Sequence, residues 1–229
     1  MRFAKLQALG NDFLVVESAD VPAGATFGDL ARRLCDRHFG AGADGLIVAR
    51  PGGDGCDVSS RIFNADGGEA EVSGNGTRCL AAYVDTLHGG RDELAVGTAA
   101  GVKRLRIVER TGTTRRIEME MGAPVFATDR VPFHCDPPQE RAIDWPLEVE
   151  GRTIRVAVLS VGNPHCTIFA DVNGALDPRA IGPLVERHPS FPNRVNVEFA
   201  TVVDRERIGA RFWERGVGMT LASGTGATA

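Results

Sequence analysis

Many short strands, few helices and a displaced internal repeat predict an α+β protein made of two pseudo-symmetric halves. Apolar runs of roughly four to eight residues, bounded by Gly, Pro, Asn or Asp, outnumber stretches with helical periodicity. The 28 glycines and 12 prolines among 229 residues supply the turns that so many strands need. Recurrence is the third observation. Arg37-His38 returns as Arg187-His188, Ser73-Gly74-Asn75-Gly76 as Ser223-Gly224-Thr225-Gly226, and Phe63-Asn64 aligns with Trp213-Glu214, all 150 positions apart. Gly10-Asn11 returns as Gly162-Asn163 at 152. Matches in one order at nearly one offset mark duplicated halves.

Taken in order, residues 2–9 and 13–16 read as a strand pair, 29–37 as a short helix, and 46–49 and 58–63 as strands. A helix over 74–87 follows, begun by Ser73, a favoured N-cap residue. Strands are expected at 94–96, 102–108 and 115–120. Gly122-Ala123-Pro124 and the proline-bearing stretch 131–138 read as the connection between halves. The second half offers strands at 152–161 and 167–170, a helix near 178–187, and strands at 195–201 and 208–213. The division is therefore 1–121 and 122–229. Only 6 residues follow Ser223, whereas about 49 separate Ser73 from the connection, so the second half is expected to be truncated within its helix, with roughly forty to fifty residues absent.

Lys and Arg number 26 against 30 Asp and Glu, a formal net charge of −4. No basic cluster stands on an aromatic-rich stretch as nucleic-acid binding requires, so a small-molecule partner is expected and nucleic acid is not. No apolar run reaches the roughly 18 residues that span a bilayer, and MRFAKLQALGNDF lacks a signal-peptide core, so no membrane association is expected. Cys35, Cys56, Cys79, Cys135 and Cys166 are odd in number, with no CxxC pair, which suits free thiols in the cytoplasm.

The chemistry gathers in the paired glycine motifs. Asn64-Ala65-Asp66-Gly67 reads as a tight turn after a strand. At Ser73-Gly74-Asn75-Gly76 the helix start offers backbone N–H groups and a positive dipole end to a carboxylate, and glycine lets it approach closely. Ser223-Gly224-Thr225-Gly226 repeats that grammar as a second helix start. Two such sites on one ligand would suit two-base chemistry at a single carbon; read blandly, the serines are helix caps. Asn11, Asn163 and Asn196 stand at loop or strand edges, where an amide serves a turn or both donates to and accepts from a ligand. Glu214-Arg215 ends an apolar strand, where Glu could take an ammonium and Arg a distal carboxylate. Residues 40–45 match GxGxxG but lie between a helix and a strand, the reverse of a dinucleotide site. His134-Cys135 and His165-Cys166 are adjacent rather than spaced, so a packing or turn role is expected and a metal site is not.

The segments LGNDF, RHFGAGADGLIV, RIFNADGGEAEVSGNGTRC, VGNPHC, FPNRVNVEFA and FWERGVGMTLASGTGATA, in this order from residue 5 to residue 229, resemble the diaminopimelate epimerases. The resemblance implies two similar domains, each a curled mixed sheet around a central helix, with the active site between them. It implies interconversion of LL- and meso-diaminopimelate in the bacterial lysine and peptidoglycan pathway, without pyridoxal phosphate or metal, and hence no cofactor. Members are commonly dimers, so a homodimer is an expectation. Carried over by motif, Asn11, Asn64, Asn163, Asn196, Glu214 and Arg215 would hold the distal amino-acid end of the substrate. Gly74-Asn75 and Gly224-Thr225 would hold the carboxylate of the reacting end.

The departures concern the bases. The family carries cysteine before each glycine pair, one thiolate removing the α-proton while the other thiol delivers a proton; here Ser73 and Ser223 stand there. A cysteine, with a reference pKa of about 8.5, can be drawn toward neutrality at a helix N-terminus, whereas a serine hydroxyl is a far weaker acid and needs an adjacent base. Met219 stands where the family usually carries glutamate, which favours natural divergence over deliberate removal of two bases. The expected function is two-base epimerisation through Ser73 and Ser223, impaired by the serines. The alternatives are a non-catalytic amino-acid-binding homologue, or a racemase or lyase for another amino acid.

Overall fold

The computed structural model describes residues 1–53, 55–169 and 176–229. The chain divides into two compact units, Met1–Met121 and Gly122–Ala229.

In the first unit, β1 (Ala4–Ala8) and β2 (Asn11–Glu17) form an antiparallel hairpin. α1 (Phe27–Cys35), capped by the Thr26 hydroxyl, leads to β3 (Gly45–Pro51), which runs parallel to β2. β4 (Val58–Asn64) is antiparallel to β3, and the two-residue β5 (Glu69–Ala70) folds back on β4. After α2 (Gly74–His88) come β6 (Glu93–Thr98), β7 (Gly101–Thr111) and β8 (Thr114–Met119). The sheet order is β1-β2-β3-β4-β6-β7-β8. α2 touches β1 and β8, the two ends of that order. Laid flat, those edges would be roughly 30 Å apart at about 4.8 Å per strand, and a helix is only about 10 Å wide. The sheet is therefore curled around α2.

The alternation of β2 explains how two helices share one sheet. Phe13 and Val15 face α2 with Ile47, Ile62, Leu80 and Leu94, while Leu14 and Val16 face α1 with Leu30, Leu46 and Phe63. Both faces are buried, so the strand reads as a continuous apolar run.

The second unit comprises β9 (Ala142–Val149), β10 (Arg152–Ser160), β11 (Pro164–Phe169), α3 (Pro178–Glu186), β12 (Asn196–Val202), β13 (Ile208–Glu214) and β14 (Gly218–Thr220). Their order is β14-β13-β12-β11-β10-β9, with β11 and β12 parallel and the other neighbours antiparallel. α3 packs on β12, β13 and β14. Its approach depends on Gly182, where a Cβ would lie 2.5 Å from the Trp213 indole.

The internal repeat reappears in strand register. The first unit pairs Leu14 with Leu46, Leu46 with Phe63 and Phe63 with Glu69. The second pairs Cys166 with Val197, Val197 with Trp213 and Trp213 with Met219, the same path displaced by 150 to 152 residues.

Several expectations shift. The first helix begins at Phe27 and stops at Cys35, because Thr26 caps it and the Asp36 carboxylate accepts from His38 and Phe39 N–H at 2.7 Å each. The strand expected over 167–170 starts at Pro164, and Ala170 lies outside the described residues. β9 was hidden by Pro146 and by Asp144, whose φ is +56°; as an end strand it tolerates both. The stretch 131–138 is no mere connection. Val131 and Phe133 are buried in the second unit's core, with Phe133 edge-on to Trp145 and tilted against Phe191. At the Ser223 motif the described backbone is a hydrogen-bonded turn, in which Ala227 N–H donates to Ser223 O at 3.0 Å and Ala229 N–H to Thr225 O at 3.0 Å, the bonding of a first helical turn. No helix among the described residues is long and apolar enough to cross a membrane.

Candidate functional site

In the first unit, the start of β2, the start of β3 and the end of β4 lie at one edge of the sheet, since β2 and β3 are parallel and β4 is antiparallel to them. That edge carries Asn11, Asp44-Gly45 and Asn64. Ser73 has extended backbone, φ −131° and ψ 121°, and its Oγ accepts from Gly76 N–H at 3.0 Å. It is the N-cap of α2, whose first residues Gly74 to Thr77 are buried. Asn75 Nδ2 donates to Asn11 Oδ1 at 3.2 Å, and Asn11 Nδ2 donates to Asp44 Oδ2 at 2.7 Å. Arg78 donates to Asn75 Oδ1. Asn64 closes β4 opposite Gly45 and donates its N–H to Gly68 O at 2.8 Å.

The second unit repeats this edge with β11, β12 and β13, so that Asn163, Asn196 and Glu214 come together. Asn196 Oδ1 accepts from Arg215 N–H at 3.0 Å while its Nδ2 donates to Pro164 O at 3.0 Å; Arg215 Nη1 donates to Asn193 O at 3.1 Å. Asn163 Nδ2 donates to Thr225 Oγ1 at 3.4 Å. His165, fully buried, places Nε2 2.9 Å from Asn163 Oδ1 and Nδ1 2.7 Å from Glu198 Oε1. The other carboxylate oxygen, Glu198 Oε2, is buried with no hydrogen-bond partner among the described residues. Ser223 Oγ accepts from Gly226 N–H at 3.0 Å and lies 3.4 Å from Thr225 Oγ1. Glu214 Oε1 accepts from Thr220 Oγ1 at 3.1 Å, and the nearby Ser223 hydroxyl also favours the ionised carboxylate. Burial pushes the Glu214 carboxyl up to about 7, the Glu198 charge adds to that, and the Ser223 and Thr220 hydroxyls oppose it. Ser223 thus stands near a carboxyl group of near-neutral pKa.

None of the five cysteines stands in either glycine turn. Burial pushes Cys35 and Cys79 up to about 12 and Cys166 well above the ordinary thiol value. Cys56 bonds Gly53 O in the loop before β4, and Cys135 bonds Thr128 Oγ1 in the stretch before β9.

Sequence reasoning missed Asp44, Arg78, Glu198 and Thr220; it reads His165 as having a packing or turn role, and the residue is fully buried. One signal was available: Glu198 is a lone carboxylate inside the buried run of β12. It is diagonal to His165 across the parallel pair that sets His165 opposite Asn196.

The diaminopimelate epimerase family profile matches residues 3–127 and 157–229. Diaminopimelate epimerases from Nostoc punctiforme and Moorella thermoacetica are 41% and 44% identical to the chain; each match takes in all of it and 82% or 81% of the relative. Among solved structures, a hydroxyproline epimerase from Agrobacterium vitis superposes with a TM-score of 0.67 at 15% identity, over 96% of this chain and 72% of that one. A methylitaconate-delta-isomerase superposes with a TM-score of 0.54 at 14% identity, over 97% and 77%. These two likenesses concern the fold. Sequence identity over its whole length, together with a family profile that covers most of both units, establishes that the chain belongs to the diaminopimelate epimerase family.

Proposed function

We propose that the chain binds diaminopimelate and is an epimerase of its α-carbon in which Ser73 and Ser223 occupy the proton-transfer positions and slow the reaction. The observation that carries this reading is the repeated turn. In both units a serine Oγ accepts from the N–H three residues on, at 3.0 Å, beside a glycine-lined backbone suited to a carboxylate. Gly74-Asn75 and Gly224-Thr225 would receive the carboxylate of the reacting end, where N–H donors stabilise the charge that develops as the α-proton leaves. Asn11, Asn64, Asn163, Asn196, Glu214 and Arg215 would hold the distal end, the arginine on its carboxylate and the glutamate on its ammonium.

The serine hydroxyl is a weak base unless its proton has somewhere to go. Ser223 has Glu214 for that purpose. The described partners of Ser73 are the backbone N–H of Gly76 and Thr77 at its two oxygens. Residual proton transfer therefore belongs to Ser223. A cytoplasmic site of action is supported by five free thiols.

Calorimetry with LL- and meso-diaminopimelate, followed by solvent-deuterium incorporation at the α-carbon, tests the reading. Binding with slow exchange is expected. Exchange at the rate of a competent epimerase contradicts the role given to the serines, and no binding contradicts the whole reading. A non-catalytic amino-acid-binding homologue is the second reading, favoured by serine at both positions. It predicts that cysteine at 73 and 223 adds no exchange.

A further inference from the structure

A side-chain amide turned through 180° keeps its shape and exchanges donor for acceptor, so its orientation is decided by its hydrogen-bond partners. In the first unit, Asn11 and Asn75, 3% and 2% exposed, form a chain with a partner of fixed polarity at each end. At one end the Asp44 carboxylate can only accept, and takes Asn11 Nδ2 at 2.7 Å. At the other the Arg78 guanidinium can only donate, and gives to Asn75 Oδ1. Between them Asn75 Nδ2 donates to Asn11 Oδ1 at 3.2 Å. Turning either amide sets an oxygen against the carboxylate or an NH2 group against the guanidinium.

Asp44 is itself held from several sides. Its Oδ1 accepts from Arg37 Nη2 at 2.7 Å and its Oδ2 from Asp12 N–H at 3.1 Å. Arg37 also grips Asp12 at 2.8 and 3.2 Å, with Lys5 Nζ 3.2 Å from the same carboxylate. Burial opposes ionisation of Asp12, but the bonds from Arg37 and Lys5 outweigh it and hold the group at about 2. The Asp44 carbonyl accepts Ala65 N–H at 3.1 Å, tying the start of β3 to the residue after Asn64.

We infer that Asp44 is a positioning residue for the ligand, setting the orientation of the Asn11 amide and, through it, that of Asn75. In the proposed function Asn11 serves the distal end of the substrate and Asn75 the reacting end, so one carboxylate aligns groups for both. The inference rests on that reading for its consequence in binding, and on the hydrogen-bond chain alone for its structural content.

Two variants and one measurement on the unaltered chain test it. Asp44→Asn keeps the shape but can present a donor to Asn11; Arg37→Gln removes the ion pair to Asp44 without touching Asn11. In the unaltered chain the Asn11 side-chain amide, followed by ¹⁵N NMR, exchanges with solvent far more slowly than an exposed asparagine. Asp44→Asn speeds that exchange and weakens binding of meso-diaminopimelate about tenfold, the scale of one charged hydrogen bond. Arg37→Gln lowers the melting temperature at least as much, yet keeps both the exchange rate and the affinity within about threefold. Rapid Asn11 exchange in the unaltered chain overturns the inference, and does so even if Asp44→Asn fails to fold. So does an Asp44→Asn variant with unchanged exchange and affinity, or an Arg37→Gln variant that loses as much affinity. If the unaltered chain does not bind meso-diaminopimelate, the functional reading fails while the amide exchange still decides the role of Asp44.

Discussion

The two units carry the same strand path and the same Ser-Gly-x-Gly turn on different foundations. Behind Gly76, a Cβ would come within 3.3 Å of the Phe13 ring, whereas behind Gly226 it would come within 2.7 Å of Glu198 Oε1. In the repeat, Phe13 corresponds to His165 and Ile47 to Glu198, so an apolar pair in the first unit is replaced by a buried polar one in the second. Asn11, which opens β2, and Asn163, just before β11, are accordingly locked by different means. Asn11 is held by Asp44 from the loop before β3, and Asn163 by Glu198 through His165. The serine-to-glycine bond is the same at both turns, and the charge beneath them differs. The second turn also has the Glu214 carboxyl near its serine, where the repeat places the amide Asn64 in the first unit.

If that difference governs chemistry, the two serines respond unequally to replacement. Ser223→Cys, beside a carboxyl group able to take the thiol proton, is expected to raise α-proton exchange of diaminopimelate by roughly 10²-fold or more, within the range of a positioned acid–base group. Ser73→Cys is expected to gain less. Equal gains in solvent-deuterium incorporation would break the comparison.

Next in size is the pH dependence that Glu214 imposes. Its folded value of about 7 exceeds the ordinary 4.5, so the protonated form is the one the fold favours. Its contribution to stability is fully present below 4.5, declines as pH rises through about 7, and is lost above that. Glu214→Gln should flatten this decline and unfold later than the unaltered chain at pH 8, by on the order of 2 kcal/mol. Thermal melts of both proteins from pH 4 to pH 9 check the sign; a stability gap that shrinks toward pH 8 contradicts it. Because ligand ammonium is drawn to the ionised carboxylate, diaminopimelate affinity should rise over the same interval.

The smallest effect sharpens the structural side. Gly76→Ala meets the Ser73 side chain and the Phe13 ring at 3.2 to 3.3 Å in the first turn of a helix, where alanine gains propensity, so it should fall within about 1 kcal/mol of neutral. Gly226→Ala drives a methyl group into a buried carboxylate bonded to His165, and should cost about 1–3 kcal/mol. Urea denaturation of the two variants measures the difference, and equal costs would mean that Glu198 yields more easily than its burial implies.

Local rules explain most of what is legible in the sequence. β2, β3 and β4 announce themselves by apolar runs between turn residues, and α2 by a serine cap before its first glycine. The serines, the glycine pairs and the asparagines were legible because turn and cap chemistry is written within a few residues. What escaped is tertiary. Asp44 meets Asn11, and Glu198 meets His165, across 33 residues in each case, and nothing in the neighbourhood of either acid names its partner. β9 escaped for another reason: proline and a left-handed aspartate are poor strand residues, and only the hydrogen bonds to β10 make that run a strand.

The central claim is that this chain binds diaminopimelate and that serine at positions 73 and 223 limits its turnover. Its most direct test is solvent-deuterium incorporation at the α-carbon of LL- and meso-diaminopimelate, measured side by side for the unaltered chain and for Ser73→Cys/Ser223→Cys. The account predicts slow exchange in the first and an increase of roughly 10²- to 10⁴-fold in the second, with interconversion of the two isomers. Equal rates in the two proteins, or a double variant that binds diaminopimelate and exchanges nothing, would contradict it.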